Sequence, residues 1–188
     1  MDLPDIVAAS YQRAAGAGFE LSSEPEVGWL LASLTAAVPD QGRILELGTG
    51  AGVGLAWLVH GLGGRSDVSV LTVDVDPELQ ALARDGDWPD YVGFRLGDAA
   101  TLLPELGAFD LVFADAPGGK LHKLANTIAA LRPGGALVVD DMDLSRHDDR
   151  GLRDALSDVR EQLVSHPELV CAELGFSSGV IVAVKRRL

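Results

Sequence analysis

A single cysteine, Cys171, stands in the 188-residue chain. A lone thiol forms no internal disulfide, which excludes a disulfide-stapled secreted scaffold and points to a reducing, cytoplasmic setting. Basic residues are also scarce: 15 Lys and Arg against 28 Asp and Glu leave a net charge of −13. Nucleic-acid backbones and anionic membranes demand clustered Lys and Arg. The one basic cluster is Lys185-Arg186-Arg187 at the C-terminal end, which reads as a solvated tail, so no nucleic-acid or membrane partner is expected. No apolar run approaches the ~20 residues of a membrane span. Met1-Asp2-Leu3-Pro4-Asp5 has neither the basic start nor the apolar core of a signal peptide. There is no internal repeat and no low-complexity segment.

What is present is ordinary for a globular protein: 47% apolar and 23% charged residues. The length suits one domain over 1–188, expected as an N-terminal helical cap (1–40) followed by a core (41–188). Leu3, Ile6, Val7 and Tyr11 predict a first helix. Ser23-Glu24-Pro25-Glu26 reads as a capping box ahead of a second helix with Val27, Leu30, Leu31, Leu34 and Val38 at helical spacing.

The centre of the chain is Ile44-Leu45-Glu46-Leu47-Gly48-Thr49-Gly50-Ala51-Gly52-Val53-Gly54. It predicts a strand, a glycine loop and a helix from about Gly52 to Leu62. A dinucleotide fingerprint requires a glycine three residues after the second one. That position is Val53 or Leu55, depending on the register, so a dehydrogenase is disfavoured. A carboxylate at the strand end suits a cationic ligand and would repel phosphates. The element resembles motif I of class I S-adenosylmethionine (SAM)-dependent methyltransferases, whose ligand carries an ammonium and a sulfonium.

Further strands are expected at Val68 to Val73, Tyr91 to Leu96, Phe109 to Ala114 and Ala136 to Val139. Asp76 reads as the N-cap of the helix after the second strand. Leu121, Leu124, Ala125, Ile128 and Leu131 mark another helix, stopped by Arg132-Pro133-Gly134-Gly135. Leu152, Ala155, Leu156, Val159 and Leu163 mark the last one. Strands at Leu169 to Leu174 and Val180 to Val184 close the chain. Continuous apolar strands alternating with helices predict a parallel sheet covered on both faces, the final hairpin adding an antiparallel edge. Glu46, Asp74, Asp115 and Asp140 each end a strand, so four carboxylates are expected to converge on one crevice.

With Ser22-Ser23-Glu24-Pro25-Glu26-Val27-Gly28, Thr72-Val73-Asp74-Val75-Asp76, Gly97-Asp98-Ala99, Phe109 to Asp115 and Leu131 to Asp141 in view, the chain resembles the catechol and caffeoyl-CoA O-methyltransferases. That resemblance implies a Rossmann-like doubly wound sheet of seven strands in the order 3-2-1-4-5-7-6, the last strand antiparallel. It also implies that Glu46, Gly48, Thr49, Gly50, Gly52 and Gly54 form the loop at the methionine end of SAM. Asp74 with Val75 would meet the ribose, Asp98 and Ala99 the adenine, and Asp115 would border the donor. In the family, two aspartates and an asparagine hold a divalent cation. The matching positions are Asp115, Asp140 and Asp141, with aspartate in place of asparagine, and the ion implied is Mg²⁺ or Ca²⁺. A homodimer is a further expectation carried from the family.

The family's catalytic lysine falls at Gly118 in this chain, and Lys120 stands two residues later. Lys120 and Asp115 are therefore the candidate catalytic residues, with His122 and His147 as alternative bases. The short segment Met142 to Asp149 suggests an open site for a small-molecule acceptor. Two other functions fit less well. Asp115-Ala116-Pro117 is similar to an RNA methyltransferase motif, but Gly118 stands where that chemistry needs a cysteine. A SAM-binding protein without transfer activity is the other alternative.

Overall fold

The computed structural model describes residues 2–187. The helices are α1 (Asp5–Gly16), α2 (Pro25–Ala36), α3 (Val53–Gly61), α4 (Pro77–Arg84), α5 (Ala99–Leu106), the short kinked α6 (Pro117–Lys120), α7 (Leu124–Ala129) and α8 (Arg150–Val164). The strands are β1 (Arg43–Leu47), β2 (Ser69–Asp74), β3 (Val92–Leu96), β4 (Phe109–Ala114), β5 (Leu131–Val139), β6 (Leu169–Leu174) and β7 (Val180–Lys185). They form one sheet in the order β3-β2-β1-β4-β5-β7-β6, as expected. The first five pair in parallel, and β7 lies antiparallel between β5 and β6.

Two apolar layers sandwich the sheet. Strand residues alternate faces, so Ile44, Leu111 and Phe113 join one core with Val27 and Leu31 of α2 and Leu55, Trp57 and Leu58 of α3. Leu45, Leu47, Val112 and Ala114 join the other with Leu103, Leu124, Ile128, Val159 and Leu163. Helix α3 is apolar all round because it is covered on all sides: Val53 to Val59 are all buried. Helices α1 and α2 pack against it. Gly28 provides the room, since a Cβ there would lie 2.1 Å from the Trp57 ring. Among the described residues no helix is long and apolar enough to cross a membrane.

Three local expectations need correction. Strand β5 begins at Leu131, five residues before the expected Ala136, and α7 ends at Ala129. Leu131 pairs with Phe109 and Ala136 with Leu111, so five residues of β5 pass alongside two of β4. The irregular stretch is held by Arg132, whose guanidinium donates to Asp110 Oδ2 at 2.6 Å, the same oxygen that accepts from the Arg43 amide at 2.8 Å. The capping box before α2 is absent. Glu24 occupies the N-cap position without a side-chain cap bond, because its carboxylate is taken by Arg146 and Ser177. Asp76 does cap α4, accepting from the amides of Glu78 and Leu79 at 2.8 and 3.1 Å.

Candidate active site

The parallel strands end together over a cleft of about 1120 Å³. The loop after β1 forms its floor. Gly50, at φ +50°, takes a conformation that costs glycine little and side-chain-bearing residues more. Its amide donates to Asp74 Oδ2 at 2.8 Å. A Cβ on Gly50 would reach 2.9 Å from the Phe19 ring, which covers the loop. Asp74 Oδ1 accepts from the Asp76 amide at 2.9 Å. Each Asp74 oxygen thus holds one backbone donor and keeps a second lone pair for a ligand. Val75 beside it is 71% exposed and lines the same wall.

Asp98 caps α5, accepting from the Ala100 amide and the Thr101 hydroxyl at 3.0 Å each, and with Ala99 it flanks the cleft. Gly48, Thr49 and Gly54 line it as well. Glu46 and Gly52 do not. Glu46 shares strand parity with Ile44, so its side chain turns under α3, where Gly54 lacks the Cβ that would otherwise stand 2.4 Å from Glu46 Oε1. Glu46 Oε2 accepts from Thr72 Oγ1 at 2.5 Å, and Thr72 shares a bond of 2.6 Å with Thr49 of the loop. Oε1 is buried without a partner among the described residues. Burial pushes the Glu46 carboxyl up to about 8, a shift opposed by the Thr72 bond and reinforced by nearby Asp74. Its contact with the glycine loop therefore runs through Thr72 and Thr49. Gly52 acts as the N-cap of α3, with Trp88 and Arg13 packed over it.

At the other end of the cleft are the termini of β4 and β5. Asp115 opens partly on the cleft, yet its carboxyl is raised well above the ordinary carboxylate range, first by desolvation and then by Asp140 and Asp141, with Lys120 pulling the other way. Asp140 is buried and likewise raised, chiefly by desolvation. Its Oδ1 accepts from the Asp141 amide at 2.8 Å and from the Ser178 hydroxyl. Asp141 sits at φ +61°, and its carbonyl contacts His147 Nε2 at 3.0 Å. Lys120, only 5% exposed, donates to the Asp140 carbonyl at 3.2 Å and lies 3.4 Å from Asp141 Oδ2. The displaced lysine therefore reaches the site. His122 and His147 line the cleft too.

The aspartate trio does not fit the cation implied by the resemblance. Among the described residues, no three carboxylate, histidine or cysteine side chains converge in a metal-holding group. The Lys120 ammonium stands at Asp141, and Asp140 Oδ1 is committed to Ser178 and the Asp141 amide. The cleft is also less open than the short segment 142–149 suggests. Residues 19–24 run along the mouth, and Glu24 ties them to Arg146 at 2.6 Å and to Ser177.

A family model described as a methyltransferase domain matches residues 45–142, from within β1 to Met142, just past Asp141. A Mycobacterium sp. (strain JLS) protein named as an O-methyltransferase is 36% identical over 195 residues, spanning 96% of this chain and 86% of its own. The chain belongs to the SAM-dependent O-methyltransferase family. A second family member, from Mycolicibacterium smegmatis, is 37% identical over 96% of this chain and 90% of its own. Solved methyltransferases share the fold. TomG from Streptomyces achromogenes, in complex with SAM, has a TM-score of 0.83 at 22% identity, over 98% of this chain and 91% of its own. The Bacillus cereus O-methyltransferase, in complex with S-adenosylhomocysteine, has 0.83 at 22%, over 99% and 93%. The cleft and its supports also include residues to which the motifs assigned no role. Thr72 was accessible through strand register, since it pairs directly with Glu46. Phe19, Glu24, Arg146 and Ser178 come from loops whose docking has no local signal.

Proposed function

We propose that this methyltransferase transfers the SAM methyl group to an oxygen of a small hydroxylated acceptor, phenol- or catechol-like in chemistry. The observation that carries the reading is the division of one cleft. A glycine loop tied to Asp74 stands at one end, and a buried ammonium among carboxyls stands at the other. The volume exceeds the roughly 300–1,000 Å³ typical of a single small-ligand site, so donor and acceptor fit together.

Asp74 accepts the ribose hydroxyls through the lone pairs left free by Gly50 and Asp76, a bidentate role suited to a carboxylate. Gly48, Thr49, Gly50 and Gly54 carry the methionine portion on backbone, and Asp98 and Ala99 border the adenine. Transfer is an in-line displacement at carbon: the acceptor oxygen forms the new bond as the sulfonium–methyl bond breaks, leaving neutral S-adenosylhomocysteine. Positioning supplies much of the acceleration. Lys120 Nζ faces the acceptor hydroxyl and stabilises the developing oxyanion. The Asp141 carboxylate, 47% exposed, takes the hydroxyl proton. No Mg²⁺ or Ca²⁺ step belongs to the proposal, because the Lys120 ammonium stands at Asp141 Oδ2 and the Asp140 carbonyl.

The net charge of −13 supports a small-molecule acceptor over a nucleic acid. The test is incubation with methyl-labelled SAM and a panel of catechols, simple phenols and phenolic acyl-CoA esters, followed by mass and fragment analysis. O-methylated product from at least one phenolic class is expected. Label found only on nitrogen or carbon acceptors would overturn the reading.

A further inference from the structure

At the ends of β4 and β5 the carboxyls of Asp115, Asp140 and Asp141 lie close enough to influence one another, without converging as a metal cage, and one ammonium stands among them. Lys120 is not there by chance of a mobile side chain. The backbone carrying it leaves helical geometry at Gly118 and Gly119, the latter at φ +85°. That turn is locked from both sides. Thr127 Oγ1 donates to the Gly119 carbonyl at 2.6 Å, and the Gly119 amide donates to the His122 carbonyl at 2.8 Å. A Cβ on Gly119 would lie 2.6 Å from Leu47 and 3.0 Å from Thr127 Oγ1, so the turn is packed against the core. The lysine that follows is aimed inward, buried, and donates to the Asp140 carbonyl while facing Asp141 Oδ2.

We infer that the Lys120 ammonium is a built-in cation that takes the electrostatic place the family resemblance gives to a divalent metal, so that the site works without one. The inference deepens the methyl-transfer reading and rests on it. A divalent ion among these carboxyls would stand within a few ångströms of the Lys120 ammonium, itself only 5% exposed, and like charges at that range repel. The acidic set would meanwhile lose the counter-charge it already has. The two cations compete for one place, and the lysine is covalently fixed at high effective concentration.

The experiment measures cation binding directly, without reference to turnover. Free Mn²⁺ is followed by electron paramagnetic resonance, and Mg²⁺ and Ca²⁺ by calorimetry, for the wild-type chain, Lys120→Met, Lys120→Arg and the double variant Lys120→Met/Asp141→Asn. Circular dichroism and S-adenosylhomocysteine binding check that each variant is folded. The wild-type chain and Lys120→Arg are expected to bind no divalent ion up to millimolar concentration. Lys120→Met is expected to gain a site at least tenfold tighter, which the double variant loses again. Sub-millimolar Mn²⁺ binding by the wild-type chain that Asp141→Asn abolishes would overturn the inference, as would a folded Lys120→Met that gains no site. Should Lys120→Met not fold, Lys120→Gln takes its place with the same expected gain. Failure of the wild-type chain to bind S-adenosylhomocysteine would instead strike the methyl-transfer reading, so the two failures are distinguishable.

Discussion

The Gly50 amide donates to Asp74 Oδ2 at 2.8 Å, joining the glycine loop after β1 to the carboxyl end of β2. One hydrogen bond thus ties together the backbone proposed to carry the donor's amino-acid portion and the carboxylate proposed for its ribose. Removing Asp74 deletes the tie and, on the proposed reading, the ribose contacts with it. Hydrogen bonds to a charged group are worth about 1.5–3 kcal/mol. Asp74→Ala is expected to weaken S-adenosylhomocysteine roughly 10- to 100-fold in calorimetry. Asp74→Asn, which keeps one acceptor oxygen, should fall between it and wild type.

Gly50 also tests the loop from its own side. A Cβ there meets the Phe19 ring at 2.9 Å in a left-handed backbone. Gly50→Ala is expected to lower stability by about 1–3 kcal/mol in urea unfolding. Phe19→Ala should relieve part of the clash, so the double variant should lose less than the sum of the two single losses.

Glu46 gives a pH signature. Its carboxyl is raised from 4.5 to about 8, so the folded state holds a proton that the unfolded state has released between those values. Stability from this group is full below about pH 4.5, declines as pH rises, and is gone above about pH 8. At about 1.36 kcal/mol per unit, ~5 kcal/mol is the upper bound. Glu46→Gln keeps an acceptor for Thr72 but cannot ionise. Urea unfolding at pH 5.5 and 8.5 should show the wild-type chain losing at least about 1 kcal/mol more than the variant across that interval. An equal loss in both would contradict the assignment.

The tie between Glu24 and Arg146 is half-exposed, with 36% and 44% of the two side chains open to solvent. Its strength in water is at most about 1 kcal/mol. Glu24→Ala is expected to lower Tm by no more than about 4 °C. The larger effect should be faster proteolysis within residues 19–24, because both Arg146 and Ser177 lose their hold on that segment. Limited proteolysis followed by mass spectrometry reads this directly.

How much of this was legible in advance follows from where the information lies. Strands β1 and β4 are covered on both faces, so Ile44–Leu47 and Phe109–Ala114 had to be apolar nearly throughout, and they announce themselves. Asp76 caps α4 through bonds two and three residues away, a local device that sequence displays. Strand β5 began early because Arg132-Pro133-Gly134-Gly135 looks like a helix stop, while the Asp110 carboxylate that holds it in the sheet lies on another strand. Glu24 looked like part of a capping box because Arg146, more than a hundred residues away, is invisible to a local pattern. The site divides the same way. Asp74, Asp98, Asp115, Gly48 and Gly50 stand at or just past strand ends, where topology alone sends them to the cleft. Whether Glu46 reached the rim depended on strand parity, and whether Lys120 reached Asp141 depended on a turn at Gly118 and Gly119 that no periodicity describes.

A crystal of the wild-type chain soaked with S-adenosylhomocysteine tests the central claim most directly. The account predicts the ligand along the rim of the sheet, its ribose hydroxyls on Asp74, its amino-acid portion over Gly48 to Gly50, and its sulfur turned toward Lys120 and Asp141. A rim left empty at saturating ligand, or a ribose held elsewhere with Asp74 still bonded only to Gly50 and Asp76, would contradict it.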